Sequence, residues 1–263
     1  MKIRRHLRLA TKTTAIALLV GSTATSQAAI LTSFVQNANS SDTAAQDAEA
    51  AFLASLHRGA VTESFDDFGD VTPVVTGSQQ TSWVQTAPSF STAVGAFTNL
   101  MSGAGGDPEK PHNLMIESRE TGEFGREVLA SSSTDLWLDS NDARIVAWDF
   151  SGFDDRFDAF GFYIADAVDQ GAELTLHFAG GSTDTVLLDP FTPLSGEPNG
   201  NLGYFSVRTE FSLLGASLSF LNSMDRDGWG IDDVTVGRVP EPGALGLLGL
   251  ALAGFGGLRR RRA

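Results

Sequence analysis

The stretch AELTLHFAG, residues 172–180, sets Leu174, Leu176 and Phe178 against Glu173, Thr175 and His177. Successive side chains of a strand point to opposite faces, so this order predicts a strand with one apolar and one wet face. The same texture recurs in ARIVAWDFS, DAFGFYIAD, TDTVLLD, YFSVRTEF, ASLSFLN and GIDDVTVG, separated by clusters of Gly, Asp, Asn and Pro. Short strands joined by turns, with no long helical pattern between them, predict an all-β, antiparallel β-sandwich of jelly-roll type over residues 61–238. A β-barrel or β-helix is the alternative, and no internal repeat supports the latter. Residues 103–111 read as a mobile loop.

Residues 29–60 carry a different pattern. SSDTAAQDAEAAFLASLHRG offers Ser41 or Asp42 as N-cap, a stripe through Ala45, Ala48, Phe52 and Leu56, and Gly59 as a stop. One amphipathic helix of four turns is predicted, with its Phe and Leu docked on the main domain. Ahead of it, residues 1–28 have a secretory signal layout: basic Lys2, Arg4, Arg5, Arg8 and Lys12, an apolar core at 15–20, and Ser26 and Ala28 at peptidase spacing. That core is far shorter than the roughly 20 residues a spanning helix needs. Cleavage is expected near Ala28 or Ala29, by the general secretory route.

The whole chain has a net charge of −14, but both ends are basic. Residues 29–238 hold nine Lys and Arg against 31 acids, a net charge of −22. Such a surface repels phosphate backbones and lacks a basic stripe, which argues against nucleic acid as a partner. The same charge favours divalent cations. There is no cysteine, so thiol nucleophiles and Cys-ligated zinc are excluded.

The last segment, residues 239–263, begins VPEPG. The sixteen residues 243–258 carry no charge, and Arg259, Arg260, Arg261 and Arg262 follow them. As a helix they would extend about 24 Å, short of a hydrocarbon core of about 30 Å but able to span it with snorkelling arginines. The arginines would stay cytoplasmic and stop transfer, leaving the acidic body outside the inner membrane. Six of the sixteen are glycines, which suits close contact with a membrane partner. Pro240, Glu241 and Pro242 form an extended, helix-incompatible segment just before this run.

Pro240-Glu241-Pro242, the apolar run and the Arg cluster, in that order, resemble the PEP-CTERM sorting signal of bacterial exported proteins. The resemblance implies recognition at the membrane by an exosortase, a transpeptidase-like integral membrane enzyme, with cleavage near the Pro-Glu-Pro motif. The body is similar, more loosely, to PEP-CTERM proteins with a concanavalin-like or carbohydrate-module-like sandwich, through ESFDDF, FDAFGFYIAD and DRDGWGIDDVTVG.

The densest chemical candidate is DRDGWGIDDV, which places Asp225, Asp227, Asp232 and Asp233 within nine residues. Hard oxygen donors on a Gly-rich turn suit Ca²⁺, and turn-forming aspartates are the competing explanation. The loop is not an EF-hand, and its Gly-x-Gly-x-Asp echo of calcium-binding β-rolls occurs once, where such sites need stacked turns. On a regular strand Asp232 and Asp233 point to opposite faces. By analogy with sugar-binding jelly rolls, in which structural Ca²⁺ bridges the first and last strands, Glu63, Asp66 or Asp67 would join them. Trp229, between two glycines, is the expected exposed ring for stacking on sugar, whereas Trp148 alternates with Val146 and Phe150 as core.

No Gly-x-Ser-x-Gly, His-Glu-x-x-His or P-loop is present, and His6, His57, His112 and His177 are scattered. The expectation is therefore a non-enzymatic protein of the cell envelope or an exopolysaccharide matrix, glycan-binding or structural. The alternative is an exported polysaccharide hydrolase or lyase, since 31 acids always supply some carboxylate pair.

Overall fold

The computed structural model describes residues 30–36, 43–57, 59–69, 83–103, 112–118, 121, 135–141, 143–152, 157–166, 172–187, 202–220 and 228–240. Within them the chain forms β1 (Ile30–Gln36), α1 (Thr43–Ser55), β2 (Val61–Glu63), a 3-10 turn (Asp66–Phe68), β3 (Gln85–Ala87), β4 (Ser89–Thr92) and β5 (Gly95–Ser102). There follow β6 (Leu114–Ser118), β7 (Leu136–Asp139), β8 (Ala143–Asp149), β9 (Phe157–Ala165), β10 (Ala172–Phe178), β11 (Thr183–Leu187), β12 (Leu202–Phe220) and β13 (Gly230–Gly237). The all-β, antiparallel class and the helix around Phe52 are as the sequence predicts. The signal-peptide segment, the N-cap candidates, almost all of the 103–111 loop and the C-terminal apolar run lie outside the described residues. Among the described residues no helix is long and apolar enough to cross a membrane.

Thirteen strands join in one sheet whose central path is β3-β6-β7-β13-β9-β12-β8-β5-β4. Strand β12 organises it. Its first half pairs with β9 and β1, and its second half with β8 and β10. The sequence reads these halves as two strands; they are one strand of 19 residues. Val207 lies opposite Phe160, and Ala216 opposite Trp148. Nine residues of straight strand cover about 30 Å, yet the Trp148 and Phe160 rings meet edge to face at 5.2 Å. The strand must therefore bend, bringing β8 over β9.

At Gly215, past the bend, β12 runs close to β8: a Cβ there would lie 2.6 Å from the Trp148 carbonyl oxygen. At the far ends of the path, β3 and β4 are separated by Pro88 alone. Pro88 has no amide hydrogen to lose at that corner, and its carbonyl accepts from the Asn99 amide at 3.0 Å. The two arms of the folded sheet are thus tied at both ends.

Between the arms lies the main core. It draws Phe160, Phe162, Phe205, Ile231 and Val234 from one arm and Phe97, Trp148, Leu174 and Leu176 from the other. Trp148 stacks on Phe97 at 5.3 Å, and its indole N–H donates to the Val94 carbonyl at 3.0 Å. The alternation in β10 is as the sequence sets it, with Leu174, Leu176 and Phe178 buried and His177 exposed.

Strand β9 is buried on both faces. Phe160, Phe162 and Ile164 face the main core, while Ala159, Tyr163 and Ala165 join a second cluster with Ala45 and Phe52 of α1, Trp137 and Tyr204. Helix α1 therefore covers the outer face of one arm, through the stripe its sequence displays. Arg208 holds it from below, with its Nε donating to Ser55 Oγ at 2.9 Å and its guanidinium 5.1 Å from the centre of the Phe52 ring. Gly161 makes room for this layer, since a Cβ there would meet the Tyr204 hydroxyl at 2.5 Å.

Candidate functional site

Two places collect the chemistry that the sequence singles out: the acidic end of β13 and the point where the chain leaves the body. Trp229 belongs to neither in the way expected. It is fully buried in the main core, its amide donates to Ser140 Oγ at 2.8 Å, and its carbonyl accepts from the Ser140 amide at 2.9 Å. The expectation of an exposed Trp229 is corrected: its backbone is fixed on Ser140 with the ring turned into the main core, and no face is open for a sugar ring. Trp83, Trp137 and Trp148 are buried as well.

Glu63 carries a structural load. One carboxylate oxygen accepts from the Phe65 amide at 2.8 Å and the other from the Ala93 amide at 2.7 Å. This holds Phe65 in its left-handed conformation, φ 59°, and ties β2 to the turn between β4 and β5. Asp66 accepts from the Leu136 amide at 3.0 Å. Asp225 and Asp227 lie outside the described residues.

Asp232 and Asp233 do not alternate across the strand. The register of β13 against β9 shifts between Asp232 and Thr235, so one extra residue bulges out, and Asp233 adopts φ 47°. Ile231 and Val234 both reach the main core, which leaves both aspartates on the outer side, toward Tyr163 and α1. Burial, then the neighbouring Asp233 charge and more distant Asp66 and Asp135, hold the Asp232 carboxyl well above the usual carboxylate value. Burial, then Glu49 of α1, then Asp66 and Asp135, push Asp233 up to about 6. Tyr163 donates its hydroxyl to Glu49 at 2.7 Å, and burial with that carboxylate raises its pKa further. Among the described residues no group of three or more His, Cys, Asp or Glu is arranged to hold a metal ion.

At the end of the described chain, β13 finishes at Gly237 against Leu56, just past α1, where a Cβ on Gly237 would lie 2.9 Å from the Leu56 side chain. The His57 amide donates to the Arg238 carbonyl at 2.6 Å, and the Val239 amide donates to Asp158 Oδ1 at 2.6 Å. Val239 packs on the cluster under α1, and Pro240 is exposed. Burial raises the Asp158 pKa, while the Val239 hydrogen bond and Arg238 pull it back. Residues 238–262 match the family model of the PEP-CTERM protein-sorting motif. The chain carries a PEP-CTERM sorting motif. That motif marks an exported protein directed to an exosortase. It begins directly after β13; Glu241, Pro242, Arg259, Arg260, Arg261 and Arg262 lie outside the described residues.

Among curated proteins none matches the chain. One solved structure is similar, the K2 cleaved adhesin domain of Lys-gingipain, at 14% identity and a TM-score of 0.32, over 68% of this chain and 98% of that one. A likeness at that level carries no argument about this chain. Sequence reasoning missed Asp158, Glu49 and the His57 amide. A backbone donor leaves no trace in residue type; Asp158 lies in FDAFGFYIAD, a stretch read for its fold, and Glu49 in the helical pattern, and neither pattern signals the contact.

Proposed function

We propose that the protein is exported, held transiently at the inner membrane by its C-terminal apolar run, and processed by an exosortase at Pro240-Glu241-Pro242. The arginines 259–262 act as the stop. The mature body then serves the cell envelope or an exopolysaccharide matrix in a structural or glycan-binding role, as a jelly-roll-type sandwich without catalytic activity. The observation that carries this reading is the sorting-motif match over residues 238–262, directly after the last strand. The test is the mass of the full-length protein recovered from cells with and without exosortase. The reading predicts a product lacking the tail only where the enzyme is present; identical products in both would contradict it.

A second reading has one observation in its favour. Asp233 is pushed up to about 6 by burial and then by the charge of Glu49 on α1, and neighbouring carboxylates suit acid-base division of labour. This is the polysaccharide hydrolase or lyase alternative. Turnover of polysaccharide by the purified body, lost in Glu49→Gln, would establish it; binding without turnover supports the first reading.

A further inference from the structure

The chain up to Val239 is fastened on every side. Val236 pairs with both Val61 and Phe160, and Gly237 with Ala159. Beyond the strand, Arg238 and Val239 spend their backbone groups on the His57 amide and on Asp158. Val239 also packs on the cluster beneath α1, as does Leu56. No residue of slack separates this fastening from Pro240.

A peptide-processing enzyme reads its substrate as an extended chain, through backbone hydrogen bonds on both sides of the bond it attacks. Residues whose donors and acceptors are already engaged cannot make those bonds without first being released. We propose that the segment just after α1, through His57, and Asp158 form a clamp on residues 238–239, so that the sorting enzyme must open this clamp before it engages the chain ahead of Pro240. The proposal rests on the exosortase reading above and names how access to that site is regulated. Release of residues 238 and 239 leaves the main core intact: it breaks two hydrogen bonds of the backbone and lifts one half-buried side chain.

The experiment follows conversion of the full-length precursor in cells with and without exosortase, for three variants beside the wild type. Asp158→Ala removes the acceptor for Val239, Asp158→Asn keeps one, and a six-residue Gly-Ser insertion between Val239 and Pro240 adds slack while leaving the clamp whole. The expected result is conversion roughly two- to tenfold faster in Asp158→Ala, as for loss of one hydrogen bond. The insertion should also accelerate it, and Asp158→Asn should run at the wild-type rate. Failure of either Asp158→Ala or the insertion to accelerate an exosortase-dependent conversion overturns the clamp. Conversion that needs no exosortase overturns the functional reading instead. The clamp is then judged by exchange of the Val239 amide, slow in the wild type and fast in Asp158→Ala if it exists, equal in both if it does not.

Discussion

The two buried clusters of this protein are built on opposite principles. The main core is aliphatic and aromatic, and the indole N–H of Trp148, one of its two tryptophans, is satisfied by a carbonyl. The cluster beneath α1 is small and polar at its margins: Tyr163 bonds Glu49, while the Tyr204 hydroxyl and the Trp137 indole N–H have no hydrogen-bond partner among the described residues. Around it stand Glu49, Asp232 and Asp233, whose negative charges oppose one another. Buried polar atoms without partners and like charges cost stability that apolar contacts do not. The first cluster joins the two arms of the sheet, and the second seats α1 on the outer face of one of them.

The largest expected difference between them is seen by truncation. Trp148→Ala should cost about 3–5 kcal/mol, because it empties a site ringed by Phe97, Phe150, Phe160 and Phe162. Denaturant unfolding should show one cooperative loss of β signal at a much lower midpoint. A loss under 1 kcal/mol would mean that the two arms are held together elsewhere.

A smaller effect, of opposite sign, is expected at Asp233. Its pKa is raised in the folded state, from 3.8 to about 6. Its stabilising contribution is therefore fully present below pH 3.8 and lost as the pH rises through 6. Asn tolerates the left-handed conformation, so Asp233→Asn should gain about 1 kcal/mol at pH 7, the figure discounted because the side chain is partly open to solvent. The gain should vanish near pH 4. A Ca²⁺-dependent rise in the wild-type Tm that this substitution abolishes would instead make Asp233 a metal ligand.

The smallest effect belongs to Tyr204. Tyr204→Phe removes a buried hydroxyl that bonds nothing among the described residues, so its Tm should stay level or rise slightly. A loss of 1 kcal/mol or more would show that this cluster is better satisfied than its geometry indicates.

The main core was legible in the sequence because period-two alternation is the signal that a two-armed sheet writes. The outer cluster was half legible. Ala45, Phe52 and Leu56 declare the stripe of α1, but Ala159, Gly161 and Tyr163 on β9 interleave with core residues, and burial on both faces erases the contrast. Strand β1 was missed because ILTSFVQ has no clean apolar side; it becomes a strand by pairing with β12. The bend that makes YFSVRTEF and ASLSFLN one strand, and the bulge that turns Asp232 and Asp233 to one side, arise from register with neighbours. Neither has a local code.

The measurement that bears most directly on this division is hydrogen exchange across the body of the full-length protein, wild type beside Phe52→Ala. A helix that can release predicts that the amides of α1 and of Val239 exchange together, well before those of β9, β12 and β13, and that Phe52→Ala speeds the first group alone. Exchange of α1 and Val239 only with global unfolding, in both proteins, would contradict it and make the helix an inseparable part of the core.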